Sequence, residues 1–328
     1  MFKRNHIYKQ EVYIETNNIS EYLAYTKQLG RINMKTDNRE DSLMYVTAER
    51  QYMLGNYSQA TAGFSKYMSQ FCTGGRYCTM AQYYLADSYY KLNDKDNALQ
   101  EYQKLTEING NPYIEEALTR AAEITYDKAD YKESLQYFSR LQTIAGSMEK
   151  MNVARLGILR CSYLLNDNEQ TIDVASKIID DTSSSDNVVS EARYNRAKAN
   201  YNLTNYADAL PDLLIISKEV RTAQGAEAKY MLADVYFKQN ELDKSEEEIM
   251  SFASMNTAHQ YWLARSFILL ADIYDAKGDE FQARQYLLSL QANYKVKDDI
   301  AQIVEERLKQ LDSKPQPELN NTEDDTEK

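Results

Sequence analysis

A spacing of small and large residues recurs seven times in this chain, and it constrains the fold more than any other feature. A small residue is followed twelve positions later by a second small one, and four positions after that by a large one: Ala48/Ala60/Phe64, Ala86/Ala98/Tyr102, Ala122/Ser134/Phe138, Ala197/Ala209/Leu213, Ala233/Ser245/Ile249 and Ala271/Ala283/Leu287, with a degenerate copy at Arg160/Ile172/Ser176. Between the two small positions stands a turn signal, as at Gly55-Asn56, Asn93-Asp94, Asp167-Asn168, Asn240 and Gly278-Asp279. Apolar residues on both sides keep a helical period, so each unit reads as two helices joined by a tight turn. Small side chains let two helix axes approach to about 8–10 Å, while the large residue fills the groove of the next pair. One such pair cannot bury its own apolar face. Stacked pairs can, which predicts an all-α fold, a right-handed α-solenoid whose core runs from repeat to repeat.

The pattern places repeats near 41–71, 77–108, 112–145, 148–181, 187–220, 223–255 and 259–294. Residues 1–40 read as a damaged repeat, with a first helix through Ile7, Tyr8 and Val12, a turn at Asn17-Asn18, and Ser20 as N-cap of a helix closed by Gly30. Within 295–311, Ile300, Ile303, Val304, Leu308 and Leu311 keep helical spacing and predict a helix that caps the last repeat. The stretch 312–328 has no apolar period and is expected to be a disordered acidic tail. Pro112 suits the first turn of a helix, whereas Pro211 falls inside one and predicts a kink or a late start. The polar loop DDTSSSDN at 180–187 is expected to be the most mobile connection.

The two small positions, the aromatic after the turn (Tyr57, Tyr131, Tyr206) and the large residue of the second helix resemble the tetratricopeptide repeat (TPR) family over roughly 41–294. The departures are a missing closing proline and a spacing of 36 to 38 residues between first small positions, against about 34 in the common form. The tyrosine-rich repeats are similar to TPR proteins of the bacterial cell envelope. In that family the first helix of each repeat lines a concave groove. The resemblance therefore implies a non-catalytic scaffold that binds a protein or peptide through Tyr45, Glu49, Tyr52, Tyr83, Asp87, Tyr90, Glu123, Tyr126, Tyr194, Lys198, Tyr201, Tyr230, Asp234 and Phe237. These lie three before, one after and four after the first small residue, about one turn apart on one stripe. Repeat four breaks the stripe with Gly157, Cys161 and Leu164. Tyr261 and Trp262 form a candidate aromatic anchor, against the alternative that the Trp is simply packed. Chaperone-binding members grip terminal carboxylates with Lys and Asn. Here the column after the small residue is mostly Glu and Asp, which argues for a basic or amphipathic partner.

Composition narrows the functional classes. The chain carries 38 Lys+Arg against 50 Asp+Glu, a net charge of −12, and has no basic cluster, which argues against a nucleic-acid partner. Its two histidines, His6 and His259, stand far apart, and no nucleotide-loop, zinc-protease or nucleophile-elbow motif occurs. No catalytic residue, metal site or cofactor is therefore expected. A glycan-binding helical-repeat protein of the envelope is the alternative reading, since stacked aromatics beside carboxylates also suit sugars. No run of 18 apolar residues spans a membrane, and self-association is left open. A solenoid normally begins with a polar cap, and residues 1–40 show none, which leans toward a piece of a longer precursor in the periplasm or cell envelope. A cytoplasmic protein is the alternative. Cys72 and Cys78 flank a Gly-Gly turn, and a disulfide or two separate thiols both fit their spacing.

Overall fold

The computed structural model describes residues 12–14, 19–28, 37–73, 75–108 and 110–313, and no strand occurs among them. Val12–Ile14 is helical, and α1 (Ile19–Gln28) follows. Then come three helix pairs, α2 (Asp37–Met53) with α3 (Tyr57–Phe71), α4 (Cys78–Lys91) with α5 (Lys95–Thr106) and α6 (Ile114–Asp127) with α7 (Tyr131–Ile144), followed by α8 (Met148–Leu164) and α9 (Asn168–Asp180), and three further pairs, α10 (Asp186–Asn202) with α11 (Tyr206–Ile216), α12 (Ala223–Lys238) with α13 (Leu242–Ser254), and α14 (Gln260–Ala276) with α15 (Glu280–Asn293). Helix α16 (Ile300–Asp312) closes the series. The chain divides into two compact units, Met1–Asp167 and Asn168–Lys328, and the division falls in the turn of the degenerate fourth repeat. Each unit is a stretch of helical solenoid in which a pair packs on the next.

The small positions act as their chemistry requires. All twelve Ala and Ser residues of the six regular copies are at most 2% exposed. Where serine replaces alanine, the hydroxyl is satisfied across the crossing: Ser134 donates to the Ala122 carbonyl at 2.9 Å and Ser245 to the Ala233 carbonyl at 2.7 Å. Space there is tight, for a Cβ added to Gly63 would stand 2.8 Å from the Cβ of Ala48. The large residues Phe64, Tyr102, Leu213, Ile249 and Leu287 are 0–1% exposed and fill the space between pairs.

Every turn within a pair uses one device. The second residue after the first helix sits in the left-handed region, at Gly55, Asn93, Ala129, Asn166, Thr204, Asn240 and Gly278, with φ from 57° to 81°. Its N–H and the next one return to the helix's last carbonyls, as Asn93 does to Tyr90 at 3.0 Å and Asp94 to Tyr89 at 2.9 Å. That closure satisfies the orphan carbonyls of the helix end. In the fourth repeat the residue carrying it is Asn166, one position before the expected Asp167. In three of the turns the following aspartate then caps the second helix, Asp94 on the Asn97 N–H, Asp130 on that of Glu133 and Asp279 on that of Gln282.

Several sequence expectations change. Ser20 is not an N-cap, because α1 already begins at Ile19. Ile7, Tyr8, the Asn17-Asn18 turn, Gly30 and residues 314–328 lie outside the described residues. Pro112 precedes its helix, and Asn111 forms the entry turn, its Oδ1 accepting the Tyr113 N–H at 2.8 Å. Pro211 neither delays nor ends α11, which starts at Tyr206 like the other second helices. Its missing N–H instead leaves the Ala207 carbonyl without an intrahelical donor. In the 180–187 loop, Asp181 accepts the N–H and hydroxyl of Ser183 at 2.9 and 2.7 Å. Helix α16 lays Ile300, Val304 and Leu311 on Ala264, Ile268, Ala271, Ala283 and Leu287.

Candidate protein-interaction face

The first helix of each pair carries the stripe, and its aromatic rings bind repeat to repeat before they bind anything else. Tyr45 is 2% exposed and stacks on Tyr77 of the next repeat, centroids 4.6 Å apart. Tyr83 stacks on Tyr113 at 4.3 Å, and Tyr230 on Trp262 at 5.5 Å. The residue three before the small position thus meets the residue nine before the small position of the following repeat. Tyr45 is a core residue and not a groove residue, which corrects its placement from sequence. Burial, with Asp87 next, pushes the Tyr83 hydroxyl up to about 12.

Two carboxylates of the next column, Asp87 and Asp234, are likewise turned inward. Asp87, 5% exposed, accepts the Tyr52 hydroxyl at 2.6 Å and the Tyr102 hydroxyl at 3.2 Å. Asp234, 6% exposed, accepts the Tyr201 hydroxyl and pairs with Lys238 at 2.9 Å. In both cases the tyrosine four after the small position reaches the carboxylate one after it in the next repeat. Phe237 has no hydroxyl to offer, and there Asp272 is held by Arg307 through two hydrogen bonds of 2.8 and 3.3 Å. Between Tyr90 and Glu123 the same task falls to Arg120, whose guanidinium lies 4.9 Å from the Tyr90 ring centre and 2.8 Å from Glu123. Burial raises the proton affinity of the Tyr52 and Tyr201 hydroxyls, and the carboxylates they donate to raise it further. Tyr126 packs edge-on against Tyr131 at 5.3 Å. Glu49 accepts the Tyr45 hydroxyl at 2.9 Å. Gly157, which breaks the stripe in sequence, is buried where a Cβ would stand 2.4 Å from the Phe138 ring.

In unit 2 the first helices α10, α12 and α14 and the closing α16 each touch the next. Their shared face holds two adjoining concavities of about 240 and 320 Å³ that have Tyr201, Tyr230 and Arg265 in common. Tyr194 donates to Glu227 at 2.6 Å, and Lys198 pairs with the same carboxylate at 2.8 Å. Tyr261 meets Trp262 edge-on at 5.0 Å, so both residues of the candidate anchor stand on the wall. Arg265 lies 5.4 Å from the centre of the Tyr230 ring and donates to its hydroxyl at 3.1 Å. Phe237, Ile268, Leu269 and Ile303 supply apolar surface.

The acidic groove expected from sequence is absent from this face. The two concavities are lined by Lys198, Lys238, Arg265 and Arg307 against Glu227, Asp234 and Asp272, one more cation than carboxylates. Lys238, Arg265 and Arg307 escaped the sequence reading because it scored three offsets, while these cations stand five after and six before the small position and on the capping helix. In unit 1 the same face keeps an acidic balance, with Glu49, Asp87, Glu116 and Glu123 beside Arg120 and Lys150.

Cys72 and Cys78 are joined by a disulfide, Cα atoms 5.4 Å apart, across the connection from α3 to α4. Buried Asp41 fastens that connection, accepting the Arg76 N–H at 3.2 Å and the Tyr67 hydroxyl. Cys161 is a free, buried thiol.

Two stretches match models of known families, residues 80–111 and residues 226–259, both described as tetratricopeptide repeat. They cover α4–α5 and α12–α13. The chain carries tetratricopeptide repeats. No curated protein matches the chain. Among solved structures it is similar to a TPR protein from Parabacteroides merdae, at 14% identity, TM-score 0.41, covering 81% of this chain and 97% of that one. It is also similar to the C-terminal part of a TPR repeat-containing protein from Cytophaga hutchinsonii, at 14% identity and TM-score 0.39, covering 90% and 98%. A third is the type IV pilus biogenesis factor PilW, at 15% identity and TM-score 0.34, covering 80% and 97%. Likeness at this level says nothing about partner or role. In unit 2 the second TPR match contributes Glu227, Tyr230, Asp234, Phe237 and Lys238 to the face described above. No helix among the described residues is long and apolar enough to cross a membrane.

Proposed function

We propose that this TPR chain is a non-catalytic scaffold that holds a segment of a protein partner against the first-helix face of unit 2. The observation that carries this reading is the pair of adjoining concavities walled by Tyr201, Tyr230, Tyr261 and Trp262. Tyrosine and tryptophan offer large contact area with few rotors and a polar tip, which suits a protein-binding anchor. On the unit 1 face Tyr45, Tyr52, Tyr83 and Asp87 are engaged within the repeats, so that face contributes stability and less binding. A sugar platform is less favoured, because the Trp262 ring already stacks on Tyr230. The disulfide between Cys72 and Cys78 supports an oxidising compartment, and the periplasm or cell envelope is the location we favour.

Selection of binders from a random dodecapeptide library tests the reading. The single tryptophan of the chain lies in the pocket and reports occupancy through its emission. Selected peptides should change that emission, and Tyr261→Ala should weaken them about tenfold or more, as loss of an anchor does. Peptides that bind without touching the Trp262 signal would refute this site.

A further inference from the structure

The chemistry of the unit 2 pocket names the kind of segment it takes, given that the pocket is the binding site proposed above. We infer that the pocket receives an acidic side chain of the partner, flanked by apolar ones, with the carboxylate on the guanidinium of Arg265.

The carboxylates on the wall already have partners. Glu227 is held by Lys198 and Tyr194, Asp234 by Lys238 and Tyr201, and Asp272 by the two-pronged contact of Arg307. A basic partner residue would have to displace one of these cations in a half-buried setting, where removing one member of a pair strands the other. Arg265 is the opposite case. Its nearest carboxylate, Asp299, stands 3.9 Å away on a side chain that is half exposed, which is beyond hydrogen-bond length. Tyr230 takes one of the five N–H groups of the guanidinium, and the ring beneath holds the plane in place. A guanidinium fixed in this way presents a fork matched to a carboxylate, and ordering it beforehand lowers the cost of binding. Burial penalises the charge on Arg265, and the Tyr230 hydroxyl offsets this, so the group stays a cation.

The surroundings agree with that assignment. The lining carries four cations against three carboxylates, and Asp299 beside Arg265 brings the count level, so within a chain of net charge −12 this patch is charge-balanced and opposes an acidic segment less than the rest of the molecule does. Ile268, Leu269 and Ile303 adjoin the arginine and supply the surface for apolar neighbours of the acid.

The test uses the full chain and three eight-residue probes: glutamate alternating with leucine, glutamine alternating with leucine, and lysine alternating with leucine. Titrations follow Trp262 emission at about 50 mM salt, where exposed charges are least screened. The glutamate peptide is expected to bind at least tenfold tighter than the glutamine peptide, and the lysine peptide weakest. Arg265→Gln should abolish the preference for glutamate while the helical circular dichroism and thermal midpoint persist, and Arg265→Lys should restore part of it. Lys104→Gln, on α5 of unit 1, should change nothing. Equal binding of the glutamate and glutamine peptides would overturn the acidic assignment and leave the pocket standing. Tightest binding by the lysine peptide would overturn it too. Response to the glutamate peptide only after removal of residues 314–328 would assign the pocket to the chain's own acidic tail and overturn an outside partner. No emission change with any peptide would refute the binding site itself.

Discussion

Changing Tyr52 to Phe removes one oxygen and tests whether the tyrosine stripe joins repeats. Its hydroxyl gives Asp87 the shorter of two phenolic hydrogen bonds, 2.6 Å against 3.2 Å from Tyr102, and the carboxylate is 5% exposed. A hydrogen bond to a charged group contributes about 1.5–3 kcal/mol, and stranding part of a buried acceptor puts the loss near the top of that range. The matched change Tyr201→Phe is a built-in control. Asp234 would keep Lys238 at 2.9 Å, so the expected loss is only about 0.5–1.5 kcal/mol. The wild-type sequence already holds the phenylalanine version at Phe237, where Arg307 replaces the missing hydroxyl on Asp272. Urea unfolding followed by circular dichroism at 222 nm gives both numbers, and Trp262 emission reports unit 2 by itself. A Tyr52→Phe chain within about 0.5 kcal/mol of wild type, the range of ordinary surface changes, would refute the reasoning. So would a larger loss for Tyr201→Phe.

Four further outcomes are expected. Thr204 and Ala129 occupy left-handed turns at φ 61° and 60°, so glycine at either should raise the unfolding free energy from urea titration by about 0.5–1 kcal/mol, against a loss of similar size for Gly278→Ala. Gly157→Ala would drive a methyl to 2.4 Å from the Phe138 ring and should cost about 1–3 kcal/mol in the same assay. Reducing the Cys72–Cys78 disulfide should remove about 2 kcal/mol, the loop-closure value for so short a span, and calorimetry with and without dithiothreitol reads it. Although burial alone would raise the pKa of Glu116, hydrogen bonding to Lys150 and the charges of Arg120 and Lys150 outweigh burial and hold it below the usual carboxylate value. Its contribution is therefore complete above about pH 4.3 and falls away as the pH drops through the lowered folded pKa. Glu116→Gln should flatten that acid limb in a pH series of thermal midpoints.

The helix pairs were legible because their signal is local and repeated. Ala48 and Ala60 have no role except closeness, and a twelve-residue spacing between two such positions admits few structures. The turns were half legible: Gly55, Asn93, Asn240 and Gly278 announce a left-handed residue, while Ala129 and Thr204 do the same work without the chemistry that advertises it. The site was the least legible part. Helical offsets bring Tyr52 to Asp87 in unit 1 and Tyr201 to Asp234 in unit 2, but whether a ring faces outward or reaches the next repeat depends on a residue about 35 positions away. Arg265 and Arg307 show the same limit. Their charges decide the sign of the pocket, yet they belong to no repeated column, and Arg307 arrives from the capping helix.

Hydrogen exchange of the full chain, with and without a saturating library-selected peptide, tests the central claim most directly. Slowed exchange is expected on the first helices of unit 2 and the closing helix, through Lys198–Tyr201, Glu227–Lys238, Tyr261–Asp272 and Ile303–Arg307, with α2, α4 and α6 unchanged. Protection centred on Tyr45–Tyr52 and Tyr83–Tyr90 instead, or on the second helices α11, α13 and α15, would contradict it.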